Sequence, residues 1–170
     1  MLSIIVPVRN ETDNIQSVFD YFSNNLNNLM GGRLLHWMDI VAAVTAQRHS
    51  GRTCVTASVN NVSFGHPIPQ ASIVTLEAKV SRSFYSSMEI IIDVYVENQV
   101  TGVREKCNDA IYTFVAVDQN GGPIQVPELI PESDEEKERY IAALRRKQLS
   151  LILAGKMKPS EASELKRIFK

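Results

Sequence analysis

An α+β fold is expected for this chain, an antiparallel sheet wrapped around one long central helix, and three features of the sequence predict it. The run from Arg33 to Ala46 is apolar at Leu34, Leu35, Trp37, Met38, Ile40, Val41, Ala42, Ala43 and Val44, too dense for a surface helix. Two later stretches switch to a period of two. Val74, Leu76, Ala78 and Val80 alternate with Thr75, Glu77, Lys79 and Ser81, and Met88, Ile90, Ile92, Val94 and Val96 recur at every second position. That pattern marks antiparallel strands with one face on a core. Helix, sheet and a separate helical tail make an α+β arrangement.

The elements follow in order. Ser3 to Val8 is short, apolar and rich in β-branched residues, which predicts an edge strand. Polar and acidic residues come soon after it, unlike the flank of a signal peptide. An Asn-rich loop from Asn24 to Asn28 leads to Gly31-Gly32, where the central helix opens. Such an opening suits a carbonyl or anionic oxygen: the first N–H groups have no helical partner, and glycine permits close approach. The helix is expected to be buried on every side, with Asp39 as its one carboxylate. Thr53 to Val62 reads as a strand, Asn98 to Gly102 as a turn, and Val103 to Asp118 as the last strand. Ile91 and Tyr95 fall on the outer sheet face and suggest a contact between subunits there.

Gly121-Gly122-Pro123, Pro127 and Pro131 end the sheet and form a linker. Ser133 with Glu136 makes a capping box for a charged helix running to about Ala154, with Gly155 as its stop. Pro159-Ser160 opens a final short helix. The chain thus divides into an N-terminal strand and lead-in (1–22), a central domain (23–131) and a C-terminal helical tail (132–170).

Composition bounds the function. The 170 residues carry a net charge of -1 and 44% hydrophobic content, enough for one core and without the basic excess of nucleic-acid or membrane-surface binders. Cys54 and Cys107 are too few for a disulfide framework and read as reduced thiols, and no apolar run reaches the roughly 20 residues of a membrane helix. A cytoplasmic protein is expected. His36, His49 and His66 lack the spacing of zinc ligands, so no metal is expected. No G-x-S-x-G elbow, P-loop or dinucleotide fingerprint occurs, and neither cysteine opens a helix that would activate it.

Beyond these signals lies a set of motifs in a definite order: Asn24…Asn28-Leu29-Met30-Gly31-Gly32…Asp39, Phe64-x-x-Pro67-Ile68, Arg82-x-x-x-Ser86-Ser87-Met88-Glu89, Phe114-Val115-Ala116-Val117-Asp118, Val126-Pro127 and Arg145-Arg146. Together, from about Ser23 onward, they resemble the acyl-CoA hydrolase branch of the hotdog-fold thioesterases. The resemblance implies the hotdog fold, acyl-CoA as substrate, hydrolysis at a subunit interface, and assembly as a dimer and further as a trimer of dimers. Two features depart from it. Ala71 stands where the family usually has Gly, and the family's first strand with its Pro-x-Asp lead-in is replaced by Leu2 to Ile15, which resembles the start of an inverting GT-A glycosyltransferase. Nothing later in the chain continues that second likeness.

Thioester hydrolysis needs a base for water and donors for the developing oxyanion. Asp39 is the candidate base, or alternatively the nucleophile, and Asn24, which matches the family's functional Asn, would hold water or the carbonyl. Gly31, Gly32 and Arg33 would polarise the carbonyl through backbone N–H groups and the helix dipole. Gly31 and Asp39 are eight positions apart, about 12 Å of helix rise, so one thioester reaches both most economically across a two-fold dimer. Arg82, Ser86, Ser87 and the basic run Arg145-Arg146-Lys147 are candidates for the CoA phosphates. Coenzyme A would enter as part of substrate and product, with no resident cofactor. Two other readings stay open: a non-catalytic acyl-CoA-binding hotdog module, and a hotdog hydratase/dehydratase, which normally works through a histidine.

Overall fold

The computed structural model describes residues 2–7, 27–69, 72–98 and 100–169. Five strands form one antiparallel sheet: β1 (Leu2–Pro7), β2 (Thr53–Phe64), β3 (Ser72–Ser83), β4 (Ser87–Asn98) and β5 (Arg104–Val117), in the spatial order β1-β3-β4-β5-β2. Strands β3, β4 and β5 are a meander joined by short turns. β1 closes one edge by pairing Leu2 with Ala78 through Pro7 with Ile73, and β2 returns to close the other against β5. The β-branched opening of the chain is therefore an edge strand, as its composition predicted, and its likeness to a glycosyltransferase goes no further.

Helix α1 (Gly31–Ser50) lies across one face of the sheet. It starts two residues earlier and ends four later than the apolar run suggested, because Gly51 in the left-handed region, φ 64°, is the residue that stops it. Leu34, Met38, Val41, Ala42 and Ala46 meet Val74, Leu76, Ala78, Met88, Ile90, Ile92, Val94, Ala110, Tyr112, Phe114 and Ala116 in a single core. The helix is not buried all round, contrary to expectation. Ile40 and Val44 are exposed on its far side. In a single chain the sheet covers only one side of a helix, so the remaining apolar side is left open to something else.

The outer sheet face also differs from expectation. The chain's own helix α2 (Asp134–Leu153) is tied to the strand that carries Ile91 and Tyr95. Arg146 grips Glu89 with two hydrogen bonds of 2.7 and 3.0 Å, and Arg139 reaches Asp93 at 3.0 Å. Both carboxylates are nearly inaccessible, which requires paired charge. Burial on its own would raise the Asp93 carboxyl, but hydrogen bonds and charge from Lys106 and Arg139 hold it below the ordinary value. The capping box at Ser133 and Glu136 is present and starts α2 where the sequence placed it. The linker is strapped down by Leu129 N–H to Ser83 Oγ, and by His49 Nε2 with Pro127 O. A short helix α3 (Ser163–Lys166) follows, flanked by 3-10 turns.

Candidate active site

Asp39 sits midway along α1, half-buried, with its carboxylate aimed at the edge strand. Thr56 of β2 donates its hydroxyl to Asp39 Oδ1 at 2.9 Å. Tyr112 of β5 lies beside the same carboxylate and donates to Leu35 O at 3.1 Å, one turn earlier in the helix. Burial, and next the charge of Asp39, push the Tyr112 phenol up to about 12, so it remains a neutral donor at any working pH. Asp39 is thus oriented by a hydroxyl and left accessible on its other side, which is what a proton acceptor for water requires.

The opening of α1 is shaped by glycines and by its neighbours. Leu29 N–H is bonded to Ile68 O at 2.9 Å, which fixes the chain entering the helix. A methyl group on Gly31 would approach the Phe64 ring to 3.3 Å, whereas one on Gly32 would meet nothing within 4 Å. Gly32 therefore faces open space. Arg33 N–H is already spent on Met30 O at 2.9 Å, which removes it from the expected donors. Among the described residues, the N–H groups of Gly31 and Gly32 have no acceptor. Asn24 lies outside the described residues.

The residues expected to meet CoA phosphates are together, on the opposite face of the sheet. Arg82 stacks on Tyr140 at 3.9 Å and donates to its carbonyl oxygen. Lys147, the last residue of the basic run, donates to Ser87 Oγ at 3.2 Å and sits 4.4 Å over the Phe84 ring. Burial lowers the Lys147 ammonium below its ordinary value, with no carboxylate to offset it. Arg145 Nε and Arg82 Nε are buried without a partner among the described residues. Arg146 has its charge met by Glu89 and so anchors α2, while Ser86, half-buried, gives its carbonyl to Ala116 N–H. A cavity of about 490 Å³ between Arg48, Lys79, Ile91 and Arg139 does not include Asp39.

Sequence reasoning missed Thr56 and Tyr112. Both are ordinary strand residues by type. Only the pairing of β2 with β5, which brings Thr56 opposite Phe114 under α1, gives them a role. Replacing Thr56 with Val is expected to lower kcat about tenfold, the scale of one hydrogen bond to a charged group, with Thr56→Ser restoring it. Equal steady-state rates for Thr56→Val and the unaltered enzyme would remove Thr56 from the site.

The Thioesterase superfamily profile matches residues 26–103, the segment holding the helix opening, Asp39 and Thr56. The uncharacterised acyl-CoA thioester hydrolase YkhA of Bacillus subtilis is 42% identical over 129 residues, 76% of this chain and 75% of that protein. This chain belongs to the acyl-CoA hydrolase family of hotdog-fold thioesterases. An acyl-CoA hydrolase of Staphylococcus aureus, solved with butyryl-CoA, CoA and CoA disulfide, superposes with a TM-score of 0.77 at 30% identity, covering 91% of this chain and 90% of that one. Forms of that enzyme with alanine replacing an asparagine, an aspartate and a threonine have been solved. Those positions are 15 and 17 residues apart, as are Asn24, Asp39 and Thr56 here. A hexameric acyl-CoA thioesterase is similar too, with a TM-score of 0.78 and 32% identity over 89% of this chain and 92% of that one. The hotdog expectation is met: five antiparallel strands and a central helix in the family's arrangement.

Proposed function

We propose that this enzyme hydrolyses acyl-CoA thioesters to free acid and CoA, with Asp39 as general base and the Gly31-Gly32 helix opening as the donor pair for the thioester oxygen. The observation that carries this reading is Asp39 itself: a half-buried carboxylate held by Thr56 at 2.9 Å on the helix whose opening presents unpaired N–H groups. Water loses a proton to the carboxylate and adds to the carbonyl carbon. The oxyanion is met by two backbone donors and by the positive end of the helix dipole. Collapse of the adduct expels the CoA thiolate, a good leaving group that needs little help. Asn24, just before the opening, supplies a side-chain amide for the water or the carbonyl.

Base and donors are about 12 Å apart along one helix, so the site is completed by a second copy. The surface that fits is the open edge of β2, where Val59 and Phe64 are exposed on the sheet face that carries α1, together with exposed Ile40 and Val44 of α1. The cationic cluster adds a further constraint. Arg82, Arg145 and Lys147 lie on the outer face and the helix opening on the inner one, so a CoA molecule cannot join them through the sheet of one chain. A dimer that assembles further, as a trimer of dimers, brings one chain's cations to another chain's thioester. Coenzyme A is then part of the substrate, and this route needs no resident cofactor. Among the described residues no group of three or more His, Cys, Asp or Glu is placed to hold a metal ion, and no helix is long and apolar enough to cross a membrane.

Thiol release measured across a ladder of acyl-CoA lengths tests the proposal. Turnover on at least one length, saturating in substrate, is expected. CoA binding without thiol release at any length would reverse it in favour of a non-catalytic binding module.

A further inference from the structure

Asn108 is a buried polar residue that neither the fold nor the reaction above uses. It is only 4% exposed, and its Oδ1 has no partner among the described residues, although its Nδ2 donates to Cys107 Sγ at 3.3 Å. Leaving a buried amide oxygen unsatisfied forfeits its hydration without return, so its persistence calls for an occupant. The register says where it points. Asn108 pairs directly with Val94 on one side, a residue fully within the core, and with Phe64 on the other. Directly opposed residues in an antiparallel pair send their side chains to the same face, with Cβ atoms about 5 Å apart. The Phe64 ring is the group that a methyl on Gly31 would touch at 3.3 Å. Asn108 therefore lies under the opening of α1, beside Phe64, where the N–H groups of Gly31 and Gly32 are also unpaired.

We infer that Asn108 is a specificity residue of the acyl pocket, selecting short acyl groups that carry a hydroxyl close to the thioester carbonyl. The inference rests on the thioesterase reading and on the placing of that carbonyl at Gly31-Gly32. The CoA arm ends in phosphates and must run outward, so the group that enters toward a side chain as enclosed as Asn108 is the acyl end. An alkyl chain lying there has nothing to offer the carboxamide. A 3-hydroxyl both donates and accepts, and so satisfies either end of the amide. A site built to hydrogen-bond a substrate hydroxyl discriminates strongly against the analogue without it, because its own polar group is left bare. Phe64, half-open beside it, limits the length that fits.

The test compares kcat/KM for 3-hydroxybutyryl-CoA and butyryl-CoA in the unaltered enzyme and in Asn108→Ala and Asn108→Leu, each checked for folding by thermal melting. The unaltered enzyme is expected to favour the hydroxylated substrate by about tenfold or more, and both variants to lose that preference chiefly by slowing on the hydroxylated substrate. A preference for butyryl-CoA in the unaltered enzyme overturns the inference even if neither variant folds. So does an unchanged ratio in a folded variant. Failure of the unaltered enzyme to cleave any acyl-CoA is a different result, and rejects the thioesterase reading itself.

Discussion

Asp39→Asn is expected to lower turnover by about 10²–10⁴-fold, the usual loss when a general base is removed. The substitution keeps the size of the side chain, so Thr56 retains an oxygen to donate to and the packing of α1 is undisturbed. Binding should survive, because the outer-face cations and the helix opening are untouched. The expected signature is a collapse of kcat with CoA affinity nearly unchanged, read by single-turnover thiol release alongside isothermal titration with CoA. Wild-type rates on every acyl-CoA tested would show that Asp39 is not the base. A parallel loss of CoA affinity would show that the residue supports the pocket rather than the chemistry.

Mixing two inactive variants should restore activity. If Asn24 and the helix opening of one chain act with Asp39 of its neighbour, a mixed dimer of Asn24→Ala and Asp39→Asn carries both defects in one site and none in the other. Random pairing of equal amounts makes about half the dimers mixed, so roughly a quarter of wild-type sites reappear, given the isologous interface of a two-fold dimer. If both residues served a site within one chain, every site would keep one defect. The mixture would then match the mean of the two variants, and with subunit exchange confirmed by mass spectrometry that result rejects the shared site. Hydrolysis itself would remain assigned.

The elements of the fold were largely legible from local pattern. Alternation marked β3 and β4 because their inner and outer faces differ sharply in polarity, and Ser133 with Glu136 marked the start of α2 because a capping box is a local structure. The extent of burial was not legible. A run such as Ile40 to Val44 reads as core, yet its far side is open in the single chain, since periodicity cannot tell which partner covers an apolar face. Within the site, Asp39 was visible as an isolated carboxylate in an apolar helix. Thr56, Tyr112 and Asn108 were invisible, because what distinguishes them is opposition across strands that are distant in sequence. The pairing of Arg146 with Glu89 was invisible for a related reason: its partner comes from a strand distant in sequence.

The returning strand β2 has a consequence for how the molecule forms. The β3–β4–β5 meander closes through short turns, so its pairings are local and quick, whereas β2 with β5 and β1 with β3 close loops of about fifty and about seventy residues, each at an entropic cost that slows folding. Seating β2 on β5 places the strand that brings the Thr56 hydroxyl to Asp39, so that hydrogen bond depends on a long-range pairing. Until then an extended segment rich in Val and Thr stands open to pairing with other chains. The pairing that holds Thr56 against Asp39 is also the one that covers one side of this segment.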